Sequence, residues 1–210
     1  MAISPVDGTI VFNSTRDGKG SLWLVNSDGQ NIRQLTDGME DSSPNFTPDG
    51  KAIIYQRGYT NETPSIWRVS TGGELPRKLY NETFAAQPTV SPDGALTAFQ
   101  FMEHQSDRAG LWRIGLVASE NGKFLRKLDL PKPVIERRTR WHPSGAFLTQ
   151  IFYDENGANF LLLPVDGGES RTISGAGKGK IGAFAWLPDG KQIAFSFQTE
   201  TVDVVLLNDF

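Results

Sequence analysis

Cysteine is absent from the 210 residues of this chain. Its absence excludes a disulfide framework, a thiolate zinc site and a cysteine nucleophile. A strong positive charge is also missing, because the formal net charge is −3 at pH 7, and this argues against a globally basic nucleic-acid-binding protein. The longest apolar runs, such as 160–163, are far shorter than the roughly 20 residues that span a bilayer. We therefore expect neither nucleic acid as a partner nor insertion into a membrane.

A sustained apolar period of 3.6 residues is missing as well, so no helix longer than one turn is predicted. The chain does contain enough apolar material for a full core, since 38% of its residues are hydrophobic. Its 22 glycines and 12 prolines indicate many turns. Short stretches rich in β-branched and aromatic residues lie between these turns, which is typical of short strands.

Three sequence markers recur in a fixed order along the chain. The first is a turn of the Pro-Asp-Gly type, in which proline presets φ, aspartate binds the following backbone and glycine supplies a positive φ. Its prolines at positions 48, 92, 143 and 188 are 44, 51 and 45 residues apart, and a weaker copy occupies 4–8. The second marker is a stretch with tryptophan or leucine, at 22–25, 66–69, 111–114, 160–163 and 204–207. The third is an arginine-containing stretch at 32–36, 76–80, 125–129 and 170–174.

Each repeat contains four stretches with strand chemistry, named A to D in chain order. Strand A precedes the Pro-Asp-Gly turn, B follows it, C is the second marker and D is the third. Four-stranded antiparallel units that repeat every 40–50 residues are typical of a β-propeller. Three features of these repeats together resemble the WD-like repeat of TolB-type propellers over essentially the whole chain. They are Arg-x-Leu, an aromatic residue or valine two positions before the turn proline, and Leu/Ile-Trp-x-Val/Ile. The ending, 202–210, resembles over a short stretch the C-terminal propellers of bacterial Ser/Thr kinases and winged-helix regulators.

We predict an all-β protein, a β-propeller of about five four-stranded antiparallel blades in a single domain, with repeats at approximately 1–40, 41–84, 85–132, 133–178 and 179–210. The first and last blades are expected to be incomplete, because strand A is found in the last four repeats and strand D in the first four. Residues 1–4 supply one short strand at most. We therefore expect part of a larger six- or seven-bladed ring, and a slightly incomplete five-unit ring is the alternative. Open sheet edges predict self-association through the terminal blades.

Propeller topology places the B–C and D–A connections on one face, here called the varied face. These connections are polar and differ between repeats, and variable loops on a rigid scaffold are where binding usually occurs. The binding residues predicted on the varied face are Arg16, Glu40, Asp41, Tyr59, His104, Lys132, Arg137, Arg138 and Arg140.

A basic stretch at 123–140 carries seven lysines and arginines against two acidic residues. Arg138 and Arg140 alternate at the start of an A strand, so one of them is expected to point towards the central channel. The fork geometry of arginine suits an anion or an acidic partner. The alternative is that these basic residues pair with Glu40, Asp41, Glu82 or Glu103 on neighbouring loops.

Motifs that would carry chemistry lack their structural context. The segment 177–182 matches GxGxxG, but it joins a D strand to an A strand and no helix follows to receive a phosphate. His142 occupies a turn position, and His104 is the sole histidine of its connection. Neither a cluster of metal ligands nor a G-x-S-x-G motif is present in the sequence. We expect no cofactor, no metal and no catalytic residue.

We interpret the chain as a non-catalytic protein- or ligand-binding propeller module, the sensor or interaction domain of a larger bacterial signalling protein. Its expected partner is a protein or a small acidic ligand on the varied face. Two alternatives stay open: an accessory gating propeller of a prolyl oligopeptidase-like peptidase, and a hydrolase or lyase that acts in the channel. The sequence does not assign a cellular compartment.

Overall fold

The computed structural model describes residues 1–59, 62–80, 82, 84–105, 108–131 and 138–199, and it describes only the backbone of 104, 105 and 108–111. Strands make up all of the regular structure in these residues. Four antiparallel sheets have four strands each, in chain order, and the described part of a fifth has two. The all-β β-propeller fold is thereby confirmed.

The strands divide into five blades. Blade 1 contains β1 (Ala2–Ile3), β2 (Ile10–Ser14), β3 (Ser21–Val25) and β4 (Arg33–Gln34). Blade 2 contains β5 (Ser42–Phe46), β6 (Ala52–Arg57), β7 (Ser65–Ser70) and β8 (Arg77–Tyr80). Blade 3 contains β9 (Ala85–Val90), β10 (Leu96–Gln105), β11 (Arg108–Ala118) and β12 (Phe124–Leu128). Blade 4 contains β13 (Arg140–Trp141), β14 (Phe147–Asp154), β15 (Gly157–Pro164) and β16 (Arg171–Ile173). The described part of blade 5 contains β17 (Lys180–Trp186) and β18 (Ile193–Gln198).

Blade 1 has four strands, so the expectation that the first blade is incomplete is wrong. Residues 2 and 3 form its A strand, β1, because their backbone pairs with β2. The stretch 204–207, interpreted as a fifth C strand, lies outside the described residues.

The A–B turns have the structure that their sequence predicts. Gly50, Gly94, Gly145 and Gly190 all have a positive φ, between 68° and 76°. Each donates its backbone N–H to the carbonyl three positions earlier, for example Gly50 N to Thr47 O at 2.9 Å. Asp49 Oδ1 accepts the backbone N–H of Lys51 at 3.1 Å, and the aspartates of the equivalent turns make the same bond. Each turn is therefore fixed by its own short-range hydrogen bonds.

The B–C connections of blades 3 and 4 are shorter than expected. Residues 103–105, which the sequence analysis placed in a loop, continue β10, and pairing with β11 extends to Gln105 opposite Arg108. In blade 4, pairing extends to Asp154 opposite Gly157 and leaves a two-residue turn. Polar residues have low strand propensity, but pairing with a long neighbouring strand satisfies their backbone groups and overrides that preference.

The core consists of side chains packed between consecutive blades. One buried cluster joins blades 1 and 2 through Val11 and Tyr55, and another joins blades 2 and 3 through Ile66 and Phe99. Equivalent clusters join blade 3 to blade 4 and blade 4 to blade 5. This packing places the A strands side by side at the centre, where β1 contacts β5, β5 contacts β9 and β9 contacts β13.

Candidate functional site in the inner-strand cavity

A cavity of about 350 Å³ lies between the A strands of blades 1 to 4. We call it the inner-strand cavity. The residues that line it are Met1, Ala2, Ser43, Pro44, Asn45, Gln87, Pro88, Thr89, Arg138 and Arg140. None of these ten residues is acidic, so two arginines and no carboxylate are among the described residues that line the cavity.

Strand alternation explains why both arginines reach the cavity. Successive side chains of an extended segment point to opposite sides, so Arg138 and Arg140 share one side and Thr139 and Trp141 share the other. Thr139 and Trp141 are buried, whereas both arginines are exposed. The indole Nε1 of Trp141 donates to the backbone carbonyl of Thr89 at 3.0 Å, which fixes β13 against blade 3. From the sequence, one of the two arginines is expected at the channel; both line the inner-strand cavity.

Thr139, which lies between the two arginines in the sequence, is fixed by buried hydrogen bonds. Its hydroxyl accepts hydrogen bonds from the side-chain amides of Gln150 and Gln100, the latter at 3.5 Å. All three side chains are buried, with Thr139 3% exposed. The side-chain oxygen of Gln150, Oε1, has no hydrogen-bond partner among the described residues. This buried polar network anchors the segment that carries the arginines.

The two arginines are held in different ways. Arg138 donates through Nη1 to the backbone carbonyl of Gly182, in blade 5. Arg140 donates through Nη1 to the carbonyl of Thr139 at 3.1 Å. Although Arg140 is exposed as a whole residue, partial loss of water around its guanidinium is the main cause that lowers its pKa, and the positive charge of Arg138 lowers the pKa further. An anion bound between them would relieve this repulsion.

Two of the inner strands carry strained bulges at the cavity. Ser43 and Gln87 have φ values of 50° and 52°, and each precedes a proline. The register of β5 with β6 shifts between Ser42 and Asn45, and that of β9 with β10 shifts in the same region. A non-glycine residue in the left-handed region costs about 1–3 kcal/mol and is often found at functional sites. The bulges turn Ser43 and Gln87 towards the cavity.

Hydrogen bonds hold both bulges in place. The backbone N–H of Gln87 donates to Gln56 Oε1 at 3.1 Å, and Gln56 Nε2 donates to the carbonyl of Gly58 at 3.0 Å. Asn45 Nδ2 donates to the carbonyls of Ser43 at 3.0 Å and Pro88 at 2.8 Å. The bulge positions are therefore built into the scaffold.

Sequence reasoning missed Gln87 and Asn45 as cavity residues. A signal for both was present, because they occupy the same positions relative to the turn proline as the two arginines. Gln87 and Arg138 both lie five residues before that proline, whereas Asn45 and Arg140 lie three residues before it. Aligning the repeats on the turn proline would have identified all four.

Outside the cavity, much of the basic stretch is paired. Lys127 Nζ lies 2.5 Å from Glu103 Oε1. The other carboxylate oxygen of Glu103, Oε2, accepts a hydrogen bond from Arg113 Nε at 3.2 Å. Arg113 further contacts Asp129 at 3.0 Å. The bond from Lys127 is the main cause that lowers the pKa of Glu103. Pairing with Glu103, the alternative raised from the sequence, thus applies to Lys127 and not to Arg138 or Arg140.

Three other predicted binding residues cluster between blades 1 and 2. Glu40 accepts the backbone N–H of Tyr59 through Oε2 at 2.9 Å, and the Tyr59 side chain is 68% exposed. Asp41 is fully buried, and Arg57 occupies both of its carboxylate oxygens at 2.7 and 3.0 Å. Asp41 therefore braces the scaffold and is not available on the surface.

The remaining predicted residues are separate from this cluster and from the cavity. The guanidinium of Arg16 lies over the rings of Trp23 and Phe12, at 4.9 and 5.3 Å from their centroids. His104 belongs to β10, and its side chain lies outside the described residues, as do Lys132 and Arg137 entirely.

In the described part of the chain, no group of three His, Asp or Glu side chains is placed to hold a metal ion. Within the same residues, no helix has the length and apolarity needed to cross a membrane. The GxGxxG segment runs from the connection after β16 into β17, so the helix that phosphate binding needs is replaced by a strand.

Comparison with known proteins supports the fold. No family model matches the chain. A stretch of 50 residues is 42% identical to the Tol-Pal system protein TolB of Geobacter metallireducens, and it makes up 23% of this chain and 12% of that relative. The structure of a putative TolB from Agrobacterium tumefaciens matches with a TM-score of 0.72 at 21% identity, over 94% of this chain and 73% of the other. The fold resembles that of TolB-like propellers.

Propellers of enzymes also share this fold. A puromycin-hydrolyzing peptidase from Mycobacterium tuberculosis matches with a TM-score of 0.64 at 17% identity, over 90% of this chain and 33% of the peptidase. At such identities the similarity indicates the architecture and not the activity.

Proposed function

We propose that the chain is a non-catalytic binding module that takes an acidic ligand, or an acidic segment of a partner protein, at the inner-strand cavity and the varied face around it. The observation that carries this proposal is the pair Arg138 and Arg140, which line one cavity with no carboxylate among its described lining residues. Charge-assisted hydrogen bonds from two arginine forks suit carboxylate or phosphate groups. The role of sensor or interaction domain in a larger bacterial signalling protein belongs to the same proposal.

The test uses the double variant Arg138→Ser/Arg140→Ser, with citrate and a hexaglutamate peptide as probes. We expect the variant to weaken binding of at least one probe by more than about 2 kcal/mol in calorimetry, the scale of lost charge-assisted hydrogen bonds. Binding by the unmodified protein should weaken as salt rises, because exposed charges are screened.

The matched control is Arg33→Ser/Arg77→Ser, which makes the same change of charge on the outer strands of blades 1 and 2. The control should bind the probes as the unmodified protein does. If the cavity arginines only brace neighbouring blades, the double variant will melt at a lower temperature and bind both probes normally. That result would refute the binding role and leave the fold unaffected.

A second candidate function is an accessory propeller of a peptidase, because a propeller of this fold makes up part of the mycobacterial peptidase. Under this alternative the inner-strand cavity is a passage for substrate, and free acidic ligands are not expected to bind there. The same titrations therefore separate the two candidates.

A further inference from the structure

The spacing of the two arginines suits a ligand with two separate negative groups. Arg138 and Arg140 are two residues apart in an extended segment, so their Cα atoms are roughly 6.6 Å apart. Nη1 of each arginine already donates to a backbone carbonyl, so the Nε–Nη2 edge of each guanidinium is the one that can bind a carboxylate through two parallel hydrogen bonds. A ligand with a single carboxylate would engage one fork and leave the other charge uncompensated. Two carboxylates on a short carbon chain match both forks.

Gln87 adds a neutral polar group to the same cavity. Its backbone is in the left-handed conformation, and the residue lines the cavity together with the arginines. Among the described residues, no hydrogen bond is made by the Gln87 side-chain amide, whereas the Asn45 amide nitrogen is occupied by two carbonyls. An amide offers one acceptor and two donor hydrogens, so it suits a hydroxyl group and gives no charge compensation.

The size of the cavity restricts the ligand further. A volume of about 350 Å³ is at the lower end of the range for small-molecule sites. It has room for a four-carbon dicarboxylate, whereas a protein segment would also need the varied face around the cavity. Small anions such as acetate would leave most of it filled with water.

We propose that the inner-strand cavity binds a small hydroxy-dicarboxylate, with Arg138 and Arg140 on the two carboxylates and Gln87 on the hydroxyl. The inference rests on the proposed function, because it assigns a ligand class to the same site. Gln87 is then the specificity-determining residue, since a site that hydrogen-bonds a substrate hydroxyl discriminates against the analogue that lacks it.

The test compares malate with succinate, which have the same charge and differ by one hydroxyl, and includes acetate and inorganic phosphate at constant ionic strength. In calorimetric titrations we expect malate to bind at least about tenfold more tightly than succinate, acetate or phosphate. Gln87→Met should weaken malate binding about tenfold and leave succinate within about twofold. Gln30→Met, a change of an exposed glutamine in blade 1, should alter neither.

A second variant, Gln87→Asn, controls for loss of folding at this position. Asparagine tolerates the left-handed conformation, so Gln87→Asn retains the bulge and shortens the reach of the amide. It should melt like the unmodified protein and lose the preference for malate over succinate.

The outcomes separate this inference from the proposed function. Equal binding of malate and succinate, or an equal effect of Gln87→Met on both, overturns the role of Gln87. If acetate or phosphate binds as tightly as the dicarboxylates and binding still depends on the arginines, the ligand class is wrong and the proposed function stands. If no anion responds to Arg138→Ser/Arg140→Ser, the proposed function itself fails.

Discussion

At the scale of single residues, the ion pair between Arg57 and Asp41 shows how a charge is used for structure and not for binding. Arg57 holds both Asp41 oxygens, and its guanidinium lies 4.5 Å from the centroid of Trp67. Gly38 lies so close to the same guanidinium that a Cβ at position 38 would overlap it. The Asp41 carbonyl also accepts from Asn13 Nδ2 at 2.7 Å. The pair therefore fastens the connection between blades 1 and 2 to β6.

Removing one charge of this buried pair should be costly. Asp41→Asn leaves the Arg57 charge with little solvent, and we expect a loss of about 3–5 kcal/mol in the free energy of unfolding, measured with urea. Glu103→Gln breaks the more exposed pairs with Lys127 and Arg113 and should cost much less, because water screens these charges. Similar losses in the two variants would contradict the structural role assigned to Asp41.

At the scale of the element, each A–B turn of blades 2 and 3 contains an aspartate whose carboxylate is bound by the turn's own hydroxyl and backbone groups. The Thr47 hydroxyl lies 2.6 Å from Asp49 Oδ1, and the Ser91 hydroxyl lies 2.5 Å from Asp93 Oδ1. These hydroxyl bonds are the main cause that lowers the pKa of each aspartate below its ordinary value of 3.8, and backbone N–H groups add to the effect. The turns thus favour the ionised aspartate.

This preference predicts how stability changes with pH. The folded pKa values are below the unfolded ones, so the unfolded chain binds more protons near pH 3–4. The contribution of both aspartates is complete above about pH 5 and is lost as the pH falls below 3.8 towards the folded pKa values. Asp49→Asn/Asp93→Asn should therefore show a smaller drop in melting temperature between pH 5 and pH 3 than the unmodified protein.

The matched control for that series is Glu74→Gln/Glu169→Gln, which removes two charges from exposed positions outside the A–B turns. Its acid sensitivity should resemble that of the unmodified protein. A steeper acid loss in the aspartate variant than in the control would contradict the role of the turns.

At the scale of the whole molecule, the blades are not equally covered. Tyr55 and Phe99, seven residues after their turn prolines, are fully buried between blades. Phe195 occupies the same position in blade 5 and is 40% exposed, and Phe197 on the same strand is 38% exposed. Exposed aromatic side chains on a sheet face favour association. We propose that the face of β18 mediates self-association of the chain.

Sedimentation at increasing protein concentration tests this proposal. The unmodified chain should form larger species as concentration rises, and Phe195→Ser/Phe197→Ser should shift the distribution towards the monomer. Leu75→Ser, a change of a fully solvated leucine in the C–D connection of blade 2, serves as the control and should leave association unchanged. A monomer at every concentration would rule out association through β18.

The sequence by itself determined the repeat, because its signals are local. A turn such as 47–50 is fixed by the φ preferences of proline and glycine and by an aspartate that bonds two residues ahead, all within five residues of chain. The strands on either side follow from their β-branched and aromatic residues. Alternation along 138–141 likewise places the two arginines on one side. The signal for each of these features lies within a few residues of chain.

Only the tertiary structure decided which charges are free. Arg57 and Arg140 look alike in the sequence, yet Arg57 is engaged by Asp41 from 16 positions earlier in the chain, whereas Arg140 meets no carboxylate among the described residues of its cavity. Gln87 became a candidate for binding because a bulge in β9, held by Gln56 of the neighbouring blade, lies in the cavity that Arg138 and Arg140 also line. Pairing and burial of polar groups depend on contacts between distant segments, and local sequence preferences carry no information about them.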